Sequence, residues 1–208
     1  MNSLTWDHNA YYQRLLLRQL PAGCHRVLDV GCGAGSFAAR LAGVVGHVDA
    51  VDSSEAMIDA ARRHGAGNVT WRCADVLDLD LPPGHYDAVV SLTALHHLPL
   101  ADALRHLAPA VRPGGVLAAV VLPAADPLRE LPVEVAAAAA NCLYGAAFAA
   151  LRAGGGGWYA REPTHDAMPK VLDPPLTTRQ ARDIAAATLP GAQVRRLLFW
   201  RYLLVWRR

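Results

Sequence analysis

An α/β fold, a parallel sheet with helices on both faces, follows from three features of this 208-residue sequence. Apolar runs of strand length alternate with runs of helical spacing up to about residue 122. Residues 27–37, Val-Leu-Asp-Val-Gly-Cys-Gly-Ala-Gly-Ser-Phe, make a strand, a glycine turn and the start of a helix. The strand ends carry Asp29, Asp52, Asp75 and Ser91, three of the four acidic. Open parallel sheets bind ligands beyond the carboxyl ends of their strands, so these positions mark the expected site.

Residues 11–20 have helical spacing and stop at Pro21 and Gly23. After the glycine turn, 36–42 continue as a helix. Residues 47–51 form a short strand ending at Asp52, and Ser53 and Ser54 supply a hydroxyl cap for a helix that runs to 63. Residues 69–73 are a third strand, followed by Ala74 and Asp75. Pro82-Pro-Gly84 is a loop, 86–91 a fourth strand, and about 100–110 a helix. Arg112-Pro-Gly-Gly115 reads as a turn that launches a strand over 116–122. A helix over 177–189 ends at Pro190-Gly191, and 193–206 read as two short strands closing the sheet.

A hydrophobic share of 53% and a charged share of 18% suit one compact domain. Within it we distinguish a covering segment at about 5–20, a core at about 25–122, an insertion at 123–176 and a closing unit at 177–208. A net charge of +2 supplies no field for nucleic acid or an anionic membrane. Arg195, Arg196, Arg201, Arg207 and Arg208 read as a solvated sheet edge rather than a nucleic-acid site. The four cysteines form no CxxC pair, so neither a metal site nor a disulfide framework is expected. No basic stretch followed by an apolar one stands at the N-terminus, which points to a cytoplasmic protein. Residues 135–151 are uncharged but alanine-rich, and shorter than the roughly 20 strongly apolar residues of a membrane span. They read as a buried or lid helix, with no membrane partner.

The glycine turn implies a nucleotide. Asp52, at the end of the second strand, has the spacing of a carboxylate that accepts ribose hydroxyls. Ser53 and Ser54 follow it with no arginine for a 2′-phosphate, so NADP is disfavoured. The dinucleotide pattern G-x-G-x-x-G is broken as well. Gly31, Gly33 and Gly35 alternate, Ser36 takes the sixth place, and Asp29 would repel a pyrophosphate. A ligand with a positively charged end suits this mouth better.

The 27–35 stretch, Val51-Asp-Ser-Ser-Glu-Ala-Met57, Cys73-Ala-Asp75, Tyr86-Asp-Ala-Val-Val-Ser91 and Arg112-Pro-Gly-Gly115 occur in one order. Together they resemble a class I S-adenosylmethionine-dependent methyltransferase over about residues 25–122. The resemblance implies a Rossmann-like three-layer sandwich on a seven-stranded sheet of order 3-2-1-4-5-7-6, its last strand antiparallel. It further implies S-adenosyl-L-methionine as cofactor and a small-molecule methyl acceptor as partner. Gly31, Cys32 and Gly33 would pass close to the cofactor's methionine, and Asp29 would orient its ammonium. Asp52 and Ser53 would hold the ribose, while Met57 packs under the adenine. Asp75 and the amide of Val76 would read the adenine edge, and Ser91 would face the methionine end. Trp6, His8, Asn9, Tyr11 and Tyr12 resemble a segment that covers the site in relatives.

His96 and His97, five and six residues past Ser91, are the general-base candidates, with His165 a further one. A histidine base would make activity fall on the acid side of about 6.5. Trp158, Tyr159 and the alanine-rich helix are expected to line an apolar acceptor pocket under a lid. Two rivals stand beside this reading, an NAD-dependent oxidoreductase and a non-catalytic S-adenosylmethionine-binding regulator.

Overall fold

The computed structural model describes residues 5–160 and 174–208. The candidate base His165 therefore lies outside the described residues. The sheet has seven strands: β1 (Arg26–Val30), β2 (His47–Asp52), β3 (Val69–Cys73), β4 (Tyr86–Leu92), β5 (Val111–Val121), β6 (Gln193–Leu197) and β7 (Arg201–Arg207). Their order is β3-β2-β1-β4-β5-β7-β6, as the resemblance implies. Strands β1 to β5 pair in parallel, and β7 runs antiparallel to both β5 and β6.

Both faces of the sheet are buried, so the central strands read as continuous apolar runs whose alternate residues serve opposite layers. In β5, Leu117, Ala119 and Val121 join a core with α4 (Leu100–Leu107) and α6 (Thr178–Thr188). Val116, Ala118 and Val120 join the opposite core, with α1 (His8–Leu17) and α2 (Ser36–Ala42). Helix α3 (Glu55–Arg62) places Ile58 in that second core.

Local chemistry explains most boundaries. Ser54 caps α3 by accepting from the Met57 amide, and Thr177 caps α6 in a reciprocal capping box with Gln180. Helix α1 starts three residues earlier than its spacing suggested. Asp7 Oδ1 accepts from the amides of Asn9 and Ala10 and so supplies a cap there. Arg112-Pro-Gly-Gly115 is not a turn ahead of a strand but lies within β5, where the register to β4 shifts between Tyr86 and Ala88.

Helix α5 (Pro127–Ala153) departs from expectation. It is long and apolar enough to cross a membrane by length and composition, yet only 11% of its most apolar window is buried. It is therefore not a core helix. Leu131, Val135, Leu143 and Leu151 face outward, while Ala137 and Phe148 pack inward. Its first turns are tied to β6, where Arg196 pairs with Glu130 at 2.8 Å and also with Glu134. Further along, Asn141 Oδ1 accepts from Trp6 Nε1 at 3.0 Å and lies 2.9 Å from His8 Nε2.

The β6–β7 hairpin carries Phe199 and Trp200, both at positive φ, without a glycine. Such a turn costs about 1–2 kcal/mol per residue. Burial of Phe199 offsets it: the ring is 1% exposed, edge-on to Trp6 at 4.9 Å and stacked on His8 at 5.4 Å. We expect Phe199→Ala to lower unfolding free energy by roughly 3–5 kcal/mol in denaturant titration. A loss under about 1 kcal/mol would show that this cluster does not anchor the hairpin.

Candidate active site

A cavity of about 610 Å³ lies at the carboxyl ends of the strands, a size usual for small-ligand sites. One half is built after β1, β2 and β3, with Asp52, Ser53, Met57, Asp75 and Val76 on its wall. The other half takes Thr93, His96 and His97 after β4, Leu122 after β5, and Arg201 at the start of β7. Helix α1 closes the side with Asn9, Ala10 and Gln13.

Asp29 is 1% exposed, and neither carboxylate oxygen has a partner among the described residues. Burial first, and then the charge of Asp52, push its carboxyl up to about 8. A protonated, unsatisfied carboxyl under a cavity is costly without a ligand, and a cation is the ligand that would relieve it. Asp52 is engaged on the backbone through both oxygens: Oδ2 accepts from the Gly33 amide at 2.8 Å and Oδ1 from Ser54 at 2.9 Å. Each oxygen retains a further lone pair for a hydroxyl donor. The amides of Gly31 and Cys32 both reach Val51 O, so the glycine turn is stitched to the end of β2.

The glycines divide their work. Gly31 has φ +70°, and a Cβ there would lie 2.1 Å from the Ala94 Cβ. It lets the turn after β1 touch the loop after β4. Gly35 is off the wall; a Cβ on it would strike Trp71 at 2.7 Å and Ala61 at 2.8 Å. That third glycine packs α2 rather than admitting a ligand.

Asp29, Gly31, Cys32, Gly33, Asp52, Ser53, Met57, Asp75, Val76, His96 and His97 all stand on the cavity wall. Ser91 does not. It is 2% exposed, and its hydroxyl donates to Val30 O at 2.9 Å, pinning β4 to β1. Leu92, Thr93 and Ala94 stand on the wall in its place. Thr93 is β-branched at φ +55°, a strained backbone conformation, and its amide donates a hydrogen bond to Val120 O at 2.7 Å.

The two histidines are not equivalent. Their ring centroids are 4.2 Å apart, but His97 is exposed while His96 is 8% exposed and its Nδ1 has no partner. Burial, then His97 and Arg201, lower the His96 pKa to about 4, so its imidazole is neutral at pH 7. Cys32 is also a neutral group, because burial pushes its thiol pKa up.

Three expectations are corrected. Neither α5 nor Trp158 nor Tyr159 reaches the cavity wall. Trp158 is 48% exposed, and Tyr159 packs against Phe148 at 4.8 Å and accepts from the Asp7 amide. The described part of the insertion thus supports the N-terminal segment, which in turn lines the site, and residues 161–173 of the expected lid lie outside the described residues. Of the expected covering residues only Asn9 lines the cavity; Trp6, His8, Tyr11 and Tyr12 do not. Arg196 and Arg201 are not part of a solvated edge: the Arg196 side chain is 13% exposed and paired with Glu130 and Glu134, and Arg201 is 8% exposed on the wall. Nothing in the local sequence separates Arg201 from Arg195, Arg207 and Arg208; its bonds to Phe199 O and to Asn9 Oδ1 of α1 hold it inward.

Residues 27–115 match the Methyltransferase domain family. The fold aligns with an S-adenosylmethionine-dependent methyltransferase structure from Mesorhizobium loti, with a TM-score of 0.63 and 21% identity over 95% of this chain and 97% of that one. A curated relative from Mycobacterium bovis, described as an uncharacterized methyltransferase, is 39% identical over 97% of this chain and 96% of its own length. The chain belongs to the class I S-adenosylmethionine-dependent methyltransferase family. Outside the core this methyltransferase diverges from relatives with a named pathway. A ubiquinone biosynthesis O-methyltransferase of Xylella fastidiosa is 36% identical over 48% of this chain and 43% of its own length. The residues that line the second half of the cavity from β7 and α1 lie outside the matched family region, so that region alone does not report on what the methyltransferase acts upon.

Proposed function

We propose that this chain transfers the methyl group of S-adenosylmethionine to a small organic acceptor, with His96 as the candidate general base. The observation that carries the reading is Asp29, a buried and unpartnered carboxyl at the junction of the cavity's two halves. It fits the cofactor's ammonium, and the broken G-x-G-x-x-G spacing at Gly31, Gly33 and Gly35 disfavours the NAD-dependent alternative.

S-adenosylmethionine supplies an activated sulfonium methyl, so the protein's task is alignment and exclusion of water. Asp52 would accept from the ribose hydroxyls on the lone pairs its backbone bonds leave free. Met57 would pack beneath the adenine, and Asp75 with the Val76 amide would contact its edge. Gly31 and Gly33 would bring backbone alongside the methionine. Asp29 would release its proton to solvent and hold the ammonium. His96 faces the acceptor half, where its neutral ring can take a proton from an acceptor that loses one during attack. The four cysteines are free thiols, which suits a reducing cytoplasm. The Xylella relative's name, an O-methyltransferase of ubiquinone biosynthesis, is in keeping with a small organic acceptor.

Calorimetric titration with S-adenosylhomocysteine and transfer of labelled methyl across a metabolite panel test this reading. Binding together with transfer is the expected result; tight binding with no transfer across a broad panel would favour a regulator. With an acceptor in hand, His96→Ala/His97→Ala should lower turnover by roughly 100-fold or more. The acid limb of kcat/KM, which reports the free enzyme, should then lie near the His96 value of about 4, below the ~6.5 of an exposed histidine. Unaltered turnover in the double variant, with cofactor affinity intact, removes the base.

A further inference from the structure

We propose that Arg201 is a carboxylate-binding residue of the acceptor half, so that the enzyme selects small acceptors carrying a carboxylate. The inference rests on the methyltransferase reading of the cavity and deepens it.

The first observation is an uncompensated charge. The Arg201 guanidinium donates to Phe199 O at 2.7 Å and to Asn9 Oδ1 at 2.8 Å, both neutral acceptors, while its buried Nε has no partner. No carboxylate lies within ion-pair distance among the described residues. The Tyr12 ring centroid lies 5.8 Å from the guanidinium carbon and carries no charge to pair with it, and Asp7, whose charge acts on it, spends Oδ1 on the cap of α1. Burial lowers the Arg201 pKa only to about 10, so the charge persists at neutral pH. A buried guanidinium without a counter-ion is costly, and its donor fork matches a carboxylate.

The second observation is position. In the strand order, β7 stands three places from β1, roughly 14 Å at the usual spacing between strands. Tyr202 pairs with Val121 at the end of β5, so Arg201 lies just beyond that end, in the same half of the cavity as His96. The donor's own carboxylate sits on the same carbon as its ammonium. Anchoring that ammonium at Asp29 keeps both groups near β1. Arg201 is thus left to a second molecule.

Charge balance selects the kind of anion. Among the described residues the wall carries the carboxylates of Asp7, Asp52 and Asp75 against one guanidinium, Asp29 being protonated when free and paired with the ammonium when the donor is bound. A dianionic phosphate would meet net repulsion there, whereas a monoanionic carboxylate on the guanidinium meets least.

The test uses the wild-type chain saturated with S-adenosylhomocysteine, titrated with hydroxy- and aminobenzoic acids and aliphatic hydroxy acids, each paired with its methyl ester. We expect at least one acid to bind tenfold or more tightly than its ester. Arg201→Gln should abolish that preference, Arg201→Lys should retain part of it, and S-adenosylhomocysteine affinity should stay within twofold in both. Equal binding of every acid and ester, or binding of none, overturns the proposal. So does a tenfold loss of S-adenosylhomocysteine affinity in Arg201→Gln, which would assign the guanidinium to the donor's carboxylate while leaving the methyltransferase reading intact. Failure of the wild type to bind S-adenosylhomocysteine overturns the cofactor reading and this one with it. The acid–ester comparison needs no variant, so a misfolded Arg201→Gln leaves the test standing.

Discussion

Asp29→Asn is expected to weaken S-adenosylhomocysteine binding by about 100-fold, roughly 3 kcal/mol, because it removes the buried partner of the ligand's ammonium. The wild-type carboxyl is buried, unpartnered and pushed up to about 8, so it is mostly protonated at pH 7 before the ligand arrives. Ammonium binding ionises it, and close to one proton should leave for each ligand bound. Calorimetry at pH 7 in two buffers of different ionisation enthalpy measures that release, and the Asp29→Asn substitution should eliminate it. A release near zero in the wild type would mean that Asp29 is not the ammonium's partner.

The same group predicts a stability trend of opposite sense to the usual paired carboxylate. A folded-state pKa raised to about 8 means that the native state holds a proton the unfolded chain has lost. Relative to Asp29→Asn, wild-type stability should be greatest below about pH 4, fall as pH rises from there towards 8, and level off above it. Saturating cofactor should reverse the trend, since it supplies the missing counter-charge. Midpoint differences between the two proteins across that range provide the check.

Gly31→Ala is expected to lower stability by about 2–5 kcal/mol and turnover by an order of magnitude or more. The steric part, ~1–3 kcal/mol, arises because the new Cβ would sit 2.1 Å from the Ala94 Cβ. The conformational part, roughly 1–2 kcal/mol, comes from φ +70° at an L-residue. Either the glycine turn or the loop carrying His96 must then move, and both shape the cavity. The double variant Gly31→Ala/Ala94→Gly separates the two parts, since deleting the Ala94 Cβ relieves the clash and leaves the φ strain. Partial recovery of stability and turnover is the expected result. No recovery would mean that contact with Ala94 is not what Gly31 provides.

Sequence patterning was most informative where side-chain chemistry and element ends coincide. The parallel strands read as apolar runs because both faces are covered, and their terminal acids mark the site because the fold puts ligands there. Asp29, Asp52 and Asp75 therefore fall on the cavity wall as the strand ends suggested. Boundaries set by a cap two or three residues away were less legible; Asp7 moved the start of α1 in this way. Ser91 sits at a strand end like the acids, yet its short hydroxyl reaches a neighbouring carbonyl rather than the cavity.

Distant contacts account for the remaining differences. Helix α5 shows the composition of a core or membrane helix, and no local pattern reveals that it mainly supports the N-terminal segment through Asn141. Arg201 shares its sequence surroundings with solvated arginines, and it is buried only because β7 begins beside α1. The residues up to about 122 thus dictate the five parallel strands, the glycine turn and the donor half of the cavity, since apolar runs, glycine spacing and strand-end acids mark each of those in the sequence. The acceptor half joins α1, the loop after β4 and β7, segments up to 192 residues apart that meet between Asn9 and Arg201. Pairing across such a span depends on how the sheet closes, and closure is a property of the packed chain rather than of any one stretch of it.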